Sequence, residues 1–210
     1  MWSLGSPKRG ACDLQALLQL IYPNQCSGCD EIVQLDQSLC PTCWIDTHFI
    51  SGCRCRQCGL DLPNGDDDTD VLCDDCMADP KPWSAGTAAM MYNGGARKMV
   101  LGLKHADRHD LVRPLSRWMA DALAPICPEN PVLVPIPLHW RRMMKRKYNQ
   151  AALLARGIGK CGGLETCVDG LKRIRYTKAL EGVTRQDRQD ILCGSMIVPD
   201  KRVPSLKARH

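Results

Sequence analysis

"VPIPLHWRRMMKRKYNQAALLARGIGK", Val134 to Lys160, decides how the second half of this 210-residue chain is read. An apolar run that begins at Val132 passes through Pro135, Pro137 and His139 into Arg141, Arg142, Lys145, Arg146 and Lys147. A helical pattern then opens at Asn149, a residue suited to capping, and continues through Ala151, Leu153, Leu154 and Ile158. The β-branched run "VLVPIP" predicts a short buried strand of the kind found in parallel sheets. In an open α/β sheet the ligand crevice lies beyond the carboxyl ends of the strands, and a helix N-terminus offers unpaired amides to an anion. Strand end, cations and helix start coincide here. The stretch therefore predicts a site for a phosphate-bearing ligand or another polyanion, with a solvated basic loop as the plain alternative.

The flanking sequence extends this pattern. Met99, Val100 and Leu103 predict a short helix after Gly95, with Arg97, Lys98 and Lys104 on its other faces, broken by "HADRHD". Leu111, Leu115, Trp118, Met119, Ala122 and Leu123 predict a second helix from about Asp110, stopped by Pro125 and Pro128. "TCV" and "SMIV" supply further β-rich pieces, so the expected body is α/β. His105, His109 and His139 are assigned no chemistry. No stretch reaches the roughly 20 apolar residues of a membrane span. Asp13, Gln15 and Gln19 interrupt the apolar run behind Lys8 and Arg9, which makes a poor signal peptide. A short amphipathic helix (Leu14, Leu17, Leu18, Ile21) in a cytoplasmic protein is the expectation.

Charge divides the chain. Residues 1–80 carry four Lys and Arg against thirteen Asp and Glu, whereas the remainder carries 24 against 10. The boundary lies near "ADPKPW" (Ala78 to Trp83), which sets an expected first domain at 1–80 and a second at 81–210. The acidic part holds four Cys-x-x-Cys pairs: Cys26/Cys29, Cys40/Cys43, Cys55/Cys58 and Cys73/Cys76. Each pair can turn two thiolates toward one ion, and two pairs complete a tetrahedral site, so two structural zinc ions are expected. Sequential pairing is the preferred one of three arrangements, which spacing alone does not separate. Disulfides need an oxidising compartment, and a redox pair normally comes singly. Cys12, Cys53, Cys127, Cys161, Cys167 and Cys193 lack a partner at this spacing and are expected to be mostly buried apolar thiols. Eight thiolates on an already acidic segment argue against nucleic acid binding there. The run Asp66, Asp67, Asp68, Asp70 reads as a solvated turn.

With these motifs in view, the chain resembles the ComF family, competence-linked proteins that join a double zinc ribbon to a type I phosphoribosyltransferase domain. "LIYPNQCSGC" (Leu20 to Cys29), Leu103-Lys104, "VPIPLHWRRMMKRKYNQAALLA", "LKRIRYT" and Arg188 carry the likeness. The resemblance implies a parallel-sheet body with Lys104, Arg141, Arg142, Arg146, Asn149 and Gln150 facing phosphoribosyl diphosphate or a related phosphate ligand. It also implies single-stranded DNA or a competence protein as alternative partners. The sequence departs from the family at Lys147, where glycine is usual, and at Leu180 and Asp190. The family's Asp-Asp-x-x-Thr-Thr-Gly loop, which would hold the ribose and 5-phosphate alongside Mg²⁺, has no counterpart in these residues. The implied protein is thus a C-terminally truncated member with an incomplete body, and phosphoribosyl transfer is not expected of it.

Overall fold

The computed structural model describes residues 21–62, 71–177 and 182–207. The helix expected behind Asp13, the acidic run at 66–70 and Leu180 lie outside the described residues. In the cysteine-rich part, helices α1 (Pro41–Asp46) and α2 (Asp74–Ala78) each start directly after a cysteine, Cys40 or Cys73, in extended conformation. Pro41 occupies the first turn of α1, where its missing N–H costs nothing. Single antiparallel bridges, Gln25 with Ile32 and Arg54 with Asp61, close the two cysteine knuckles.

The basic part is mainly helical. Helix α3 (Gly94–His105) leads through a 3₁₀ turn (His109–Leu111) into α4 (Val112–Leu123), which a second 3₁₀ turn containing Pro125 ends. After strand β1 (Val132–Leu133) come α5 (Trp140–Arg146), α6 (Gln150–Gly162), β2 (Glu165–Thr166) and β3 (Lys172–Arg173). Helix α7 (Arg185–Leu192), β4 (Met196–Ile197) and α8 (Val203–Lys207) complete the described chain. Strands β1 and β2 pair parallel, and β3 and β4 pair antiparallel.

The sheet is smaller than the sequence predicts. The run "VLVPIP" pairs only at Val132 and Leu133, and the ladder closes with Cys167 N–H donating to Leu133 O at 2.9 Å. Pro135 and Pro137 have no amide hydrogen, so the apolar run cannot continue as a paired strand. The architecture is a mixed helix and sheet arrangement in which helices, not strands, supply the core.

That core gathers Met99 and Leu103 of α3, Leu111, and Leu115 of α4, with Leu39, Met90, Val112, Trp118 and Leu154 packed around them. Helices α4 and α6 cross closely because two small residues meet. The buried Ser116 donates to Leu154 O at 3.3 Å, and a Cβ added to Gly157 would lie 2.6 Å from the Ser116 Cβ. The caps follow their sequence signals: Asn149 accepts from Ala151 N–H at 3.1 Å, and Thr184 accepts from Asp187 N–H at 3.2 Å. Lys147 ends α5 at φ 62°, the left-handed region that glycine enters without strain.

The two oppositely charged parts meet along a seam. Arg108 pairs with Asp30 at 2.9 Å, Lys98 with Asp46 at 3.0 Å, Arg185 with Asp79 at 2.6 Å and Arg113 with Asp36 at 4.0 Å. Phe49 stacks on Trp44 at 4.8 Å and meets Trp118 edge-on at 5.1 Å. Backbone pairing of His48 to Ile50 with Ala89 to Met91 carries the chain from this seam toward α3.

Two substitutions test this packing by urea unfolding. Gly157→Val overfills the crossing of α4 and α6 and lowers stability by about 1–3 kcal/mol. Lys147→Gly relieves the left-handed backbone at the end of α5 and raises stability by about 1 kcal/mol, whereas Lys147→Ala does not.

Candidate metal centres and a cationic groove

The cysteines assemble in sequential pairs. Cys26, Cys29, Cys40 and Cys43 form one cluster, and Cys55, Cys58, Cys73 and Cys76 form the other, with all sulfurs of a cluster within 4.8 Å of one another. Tetrahedral zinc with Zn–S bonds of about 2.3 Å places sulfurs about 3.8 Å apart. Cys29 and Cys40 stand 3.6 Å apart and Cys58 and Cys73 3.7 Å apart, so the sets fit zinc and none of these thiols is in a disulfide. The turns aim amides at the sulfurs as well. Cys26 Sγ accepts from Gly28 N–H at 3.3 Å and Cys40 N–H at 3.2 Å, and Cys55 Sγ accepts from Cys73 N–H at 3.3 Å.

Crowded thiols do not ionise together. Burial works to raise the pKa of Cys26, but the amides of Cys40, Gly28 and Cys29 outweigh it and bring the thiol down to about 7. Cys55 falls to about 6 by the same balance. Burial pushes Cys43 up, and neighbouring thiols add to the rise. Cys76 is pushed up to about 12 for the same reasons, in the same order. One thiolate per cluster is thus favoured and its neighbours resist, a split that a dication removes by neutralising all four. The remaining described cysteines divide differently from expectation. Cys53 is buried, Cys127 and Cys167 are half-buried, and Cys161 and Cys193 are exposed near helix ends.

A second site lies on the basic side. A groove of about 1140 Å³ runs between α3, α5 and the segments around Tyr176 and Arg188. Among the described residues, seven cations line it (Arg97, Lys104, Arg142, Lys145, Arg146, Lys147, Arg188), with Asp107 as the one carboxylate. Asp107 is itself engaged: the Tyr148 hydroxyl lies 3.0 Å from its Oδ1 and 2.9 Å from Leu103 O. Among the described residues no carboxylate lies within pairing distance of Lys104, Lys145, Arg146 or Lys147. Arg173, on β3, is pushed below the ordinary arginine value by burial and then by Arg142, and its Nε is buried without a partner.

The sequence-predicted phosphate residues fall into two groups. Lys104, Arg142 and Arg146 line the groove. Arg142 is held by a 2.8 Å bond to Thr177 O and lies 5.8 Å from the Tyr176 ring. Arg141 lies instead over Trp140 and Tyr176, at 5.4 and 5.7 Å. Asn149 and Gln150 commit their amides to backbone, Nδ2 to Ile136 O at 3.1 Å and Nε2 to Lys104 O at 3.4 Å. They join the proline-rich turn and α3 to the start of α6. His139 is buried and caps α5, its Nδ1 accepting from Arg141 N–H at 3.3 Å. Arg97, Tyr92, Tyr148 and Tyr176 also face the groove, and only their convergence in three dimensions reveals it.

Metal analysis after gentle reducing purification yields two zinc ions per chain. Zinc loading of protein freed of metal displaces thiol protons, seen with a pH indicator, and occupancy declines as pH falls. Cys26→Ser or Cys55→Ser lowers the content to one.

Comparison with known proteins agrees with the cysteine geometry. The family model described as Double zinc ribbon domain matches residues 17–82. No curated protein and no solved structure matches the chain. Residues 17–82 are thus a double zinc ribbon domain carrying two four-cysteine sites.

Proposed function

We propose that the chain is a ComF-like protein in which the zinc ribbon domain supports a basic second domain, 81–210, that binds a phosphate-bearing ligand of the phosphoribosyl diphosphate type in its groove. The observation that carries this reading is the imbalance, among the described residues, of seven cations against one engaged carboxylate around one concavity. Lys104, Arg142, Lys145, Arg146, Lys147 and Tyr148 in that lining belong to segments that carry the family resemblance, "PLHWRRMMKRKYNQ" being its most specific part. A link to DNA uptake or nucleotide metabolism belongs to the same proposal.

Binding is proposed, not transfer. Lys104, Arg142 and Arg146 can neutralise a diphosphate, and the Lys147 turn keeps Arg146 and Tyr148 on the groove. No Asp-Asp followed by Thr-Thr-Gly occurs in these residues to hold ribose hydroxyls, 5-phosphate and Mg²⁺ together. Positioning of that kind is worth about 7–11 kcal/mol of a barrier. Incubation with phosphoribosyl diphosphate, Mg²⁺ and a panel of bases should release no protein-dependent diphosphate.

A second reading rests on the three tyrosines. Tyr92, Tyr148 and Tyr176 stand among the cations, and aromatic faces beside basic side chains suit the stacked bases of single-stranded DNA. A protein partner of the competence machinery would use the same face.

Calorimetric titration with inorganic pyrophosphate, phosphoribosyl diphosphate and short oligothymidylate separates these outcomes. Affinity for the diphosphates should fall as salt rises, and Arg146→Gln should weaken it about tenfold, the loss of one charge-assisted contact. Equal binding by the wild type and this variant would show the cations to be merely solvated. Preference for the oligonucleotide, lost in Tyr176→Ala, would favour the second reading.

A further inference from the structure

The first four-cysteine site does more than close its own knuckle, because its two turns grip α3 at both ends. At the N-terminal end, Cys40 caps α1 by accepting from Cys43 N–H, so two ligands of the site define the start of that helix. The far end of α1 sits on α3. Asp46 pairs with Lys98 at 3.0 Å, and a Cβ on Gly94 would collide with the Asp46 carbonyl and lie 2.8 Å from its Oδ1. At the C-terminal end, Asp30 follows Cys29 directly in left-handed backbone and pairs with Arg108 at 2.9 Å. Arg108 N–H donates to Gly102 O at the end of α3, and its guanidinium also grips Asp110. Between the two clamps, α3 presents Arg97, Leu101, Lys104 and His105 to the groove.

We propose that occupancy of the first four-cysteine site by zinc controls the placement of α3 and, through it, the anion affinity of the groove. The inference rests on the anion reading given above and adds its regulation. An ion that holds Cys40 and Cys43 together fixes the direction of α1; thiols released by a chelator leave α1 and the Asp30 turn free to move. The groove would then lose one of its cationic walls. An apparent dissociation constant scales inversely with the fraction of molecules in the binding-competent arrangement, so a tenth left in register raises it about tenfold.

The test uses the full chain and two readouts, amide hydrogen exchange in residues 94–105 and the dissociation constant for inorganic pyrophosphate. Cys43→Ser should retain one zinc, speed exchange throughout α3 and weaken pyrophosphate about tenfold. Gly94→Ala keeps both zinc sites and every charge, while its Cβ obstructs the seat of α1 and strains the φ 39° start of α3. It should change both readouts in the same direction by a smaller factor. If Cys43→Ser fails to fold, the wild type titrated with a chelator is read in its place, exchange in α3 being expected to rise as the first zinc is lost. Unchanged exchange in α3 in Gly94→Ala, or in folded Cys43→Ser with one zinc, overturns the coupling. A zinc-loaded wild type that fails to bind pyrophosphate overturns the anion reading instead, and the exchange measurement still decides whether the zinc site holds α3.

Discussion

Thiolate coordination is the interaction on which the rest of this structure depends. Among the described residues before Ala96, the buried apolar side chains are six cysteines and Ile50. Such a segment has almost no hydrocarbon to remove from water, and ordering its backbone costs about 1–2 kcal/mol per residue. Zinc at a four-thiolate site contributes on the order of 10–16 kcal/mol, enough to replace the missing core. The amides aimed at Cys26 and Cys55 indicate that the backbone is built to receive charge at those sulfurs.

Once folded, the acidic segment sorts the cations of the rest of the chain. Lys98, Arg108, Arg113 and Arg185 face Asp46, Asp30, Asp36 and Asp79 along the seam. Exposed pairs of this kind contribute about 0–1 kcal/mol each, so apolar contacts such as Trp44, Phe49 and Trp118 hold the seam while the charges select its register. Among the described residues, Lys104 of α3 and Lys145 and Arg146 of α5 have no such partners, and they line the groove. The charge imbalance legible in the sequence therefore resolves into a paired seam and a cation-rich groove. Mutual repulsion among the groove cations is tolerable because each is partly solvated, and an anionic ligand would relieve it.

Cysteine spacing, helix periodicity and capping residues were readable because each acts locally. Four Cys-x-x-Cys turns specify their own geometry, and Asn149 caps the helix it precedes. Sheet extent was not readable, since the apolar run at Val132 signals a strand while Pro135 and Pro137 remove the donors it needs. Apolar periodicity also gave no hint that Ser116 and Gly157 set the crossing of α4 and α6, which depends on small size at two distant positions. The groove was half legible. Its α5 cations are contiguous in sequence, whereas Arg97, Tyr92, Tyr176 and Arg188 come from segments that only folding brings together. Asn149 and Gln150 illustrate the converse, polar residues beside a basic helix whose amides are used on backbone carbonyls.

The most direct test of the central claim is a nitrogen-15 NMR titration of the zinc-loaded protein with inorganic pyrophosphate. The account predicts saturable shifts at one site per chain, centred on Lys104, Arg142, Arg146 and Tyr148, with the seam residues Asp46 and Trp118 unmoved. Shifts spread evenly over surface lysines without saturation, or centred on the cysteine knuckles, would contradict it.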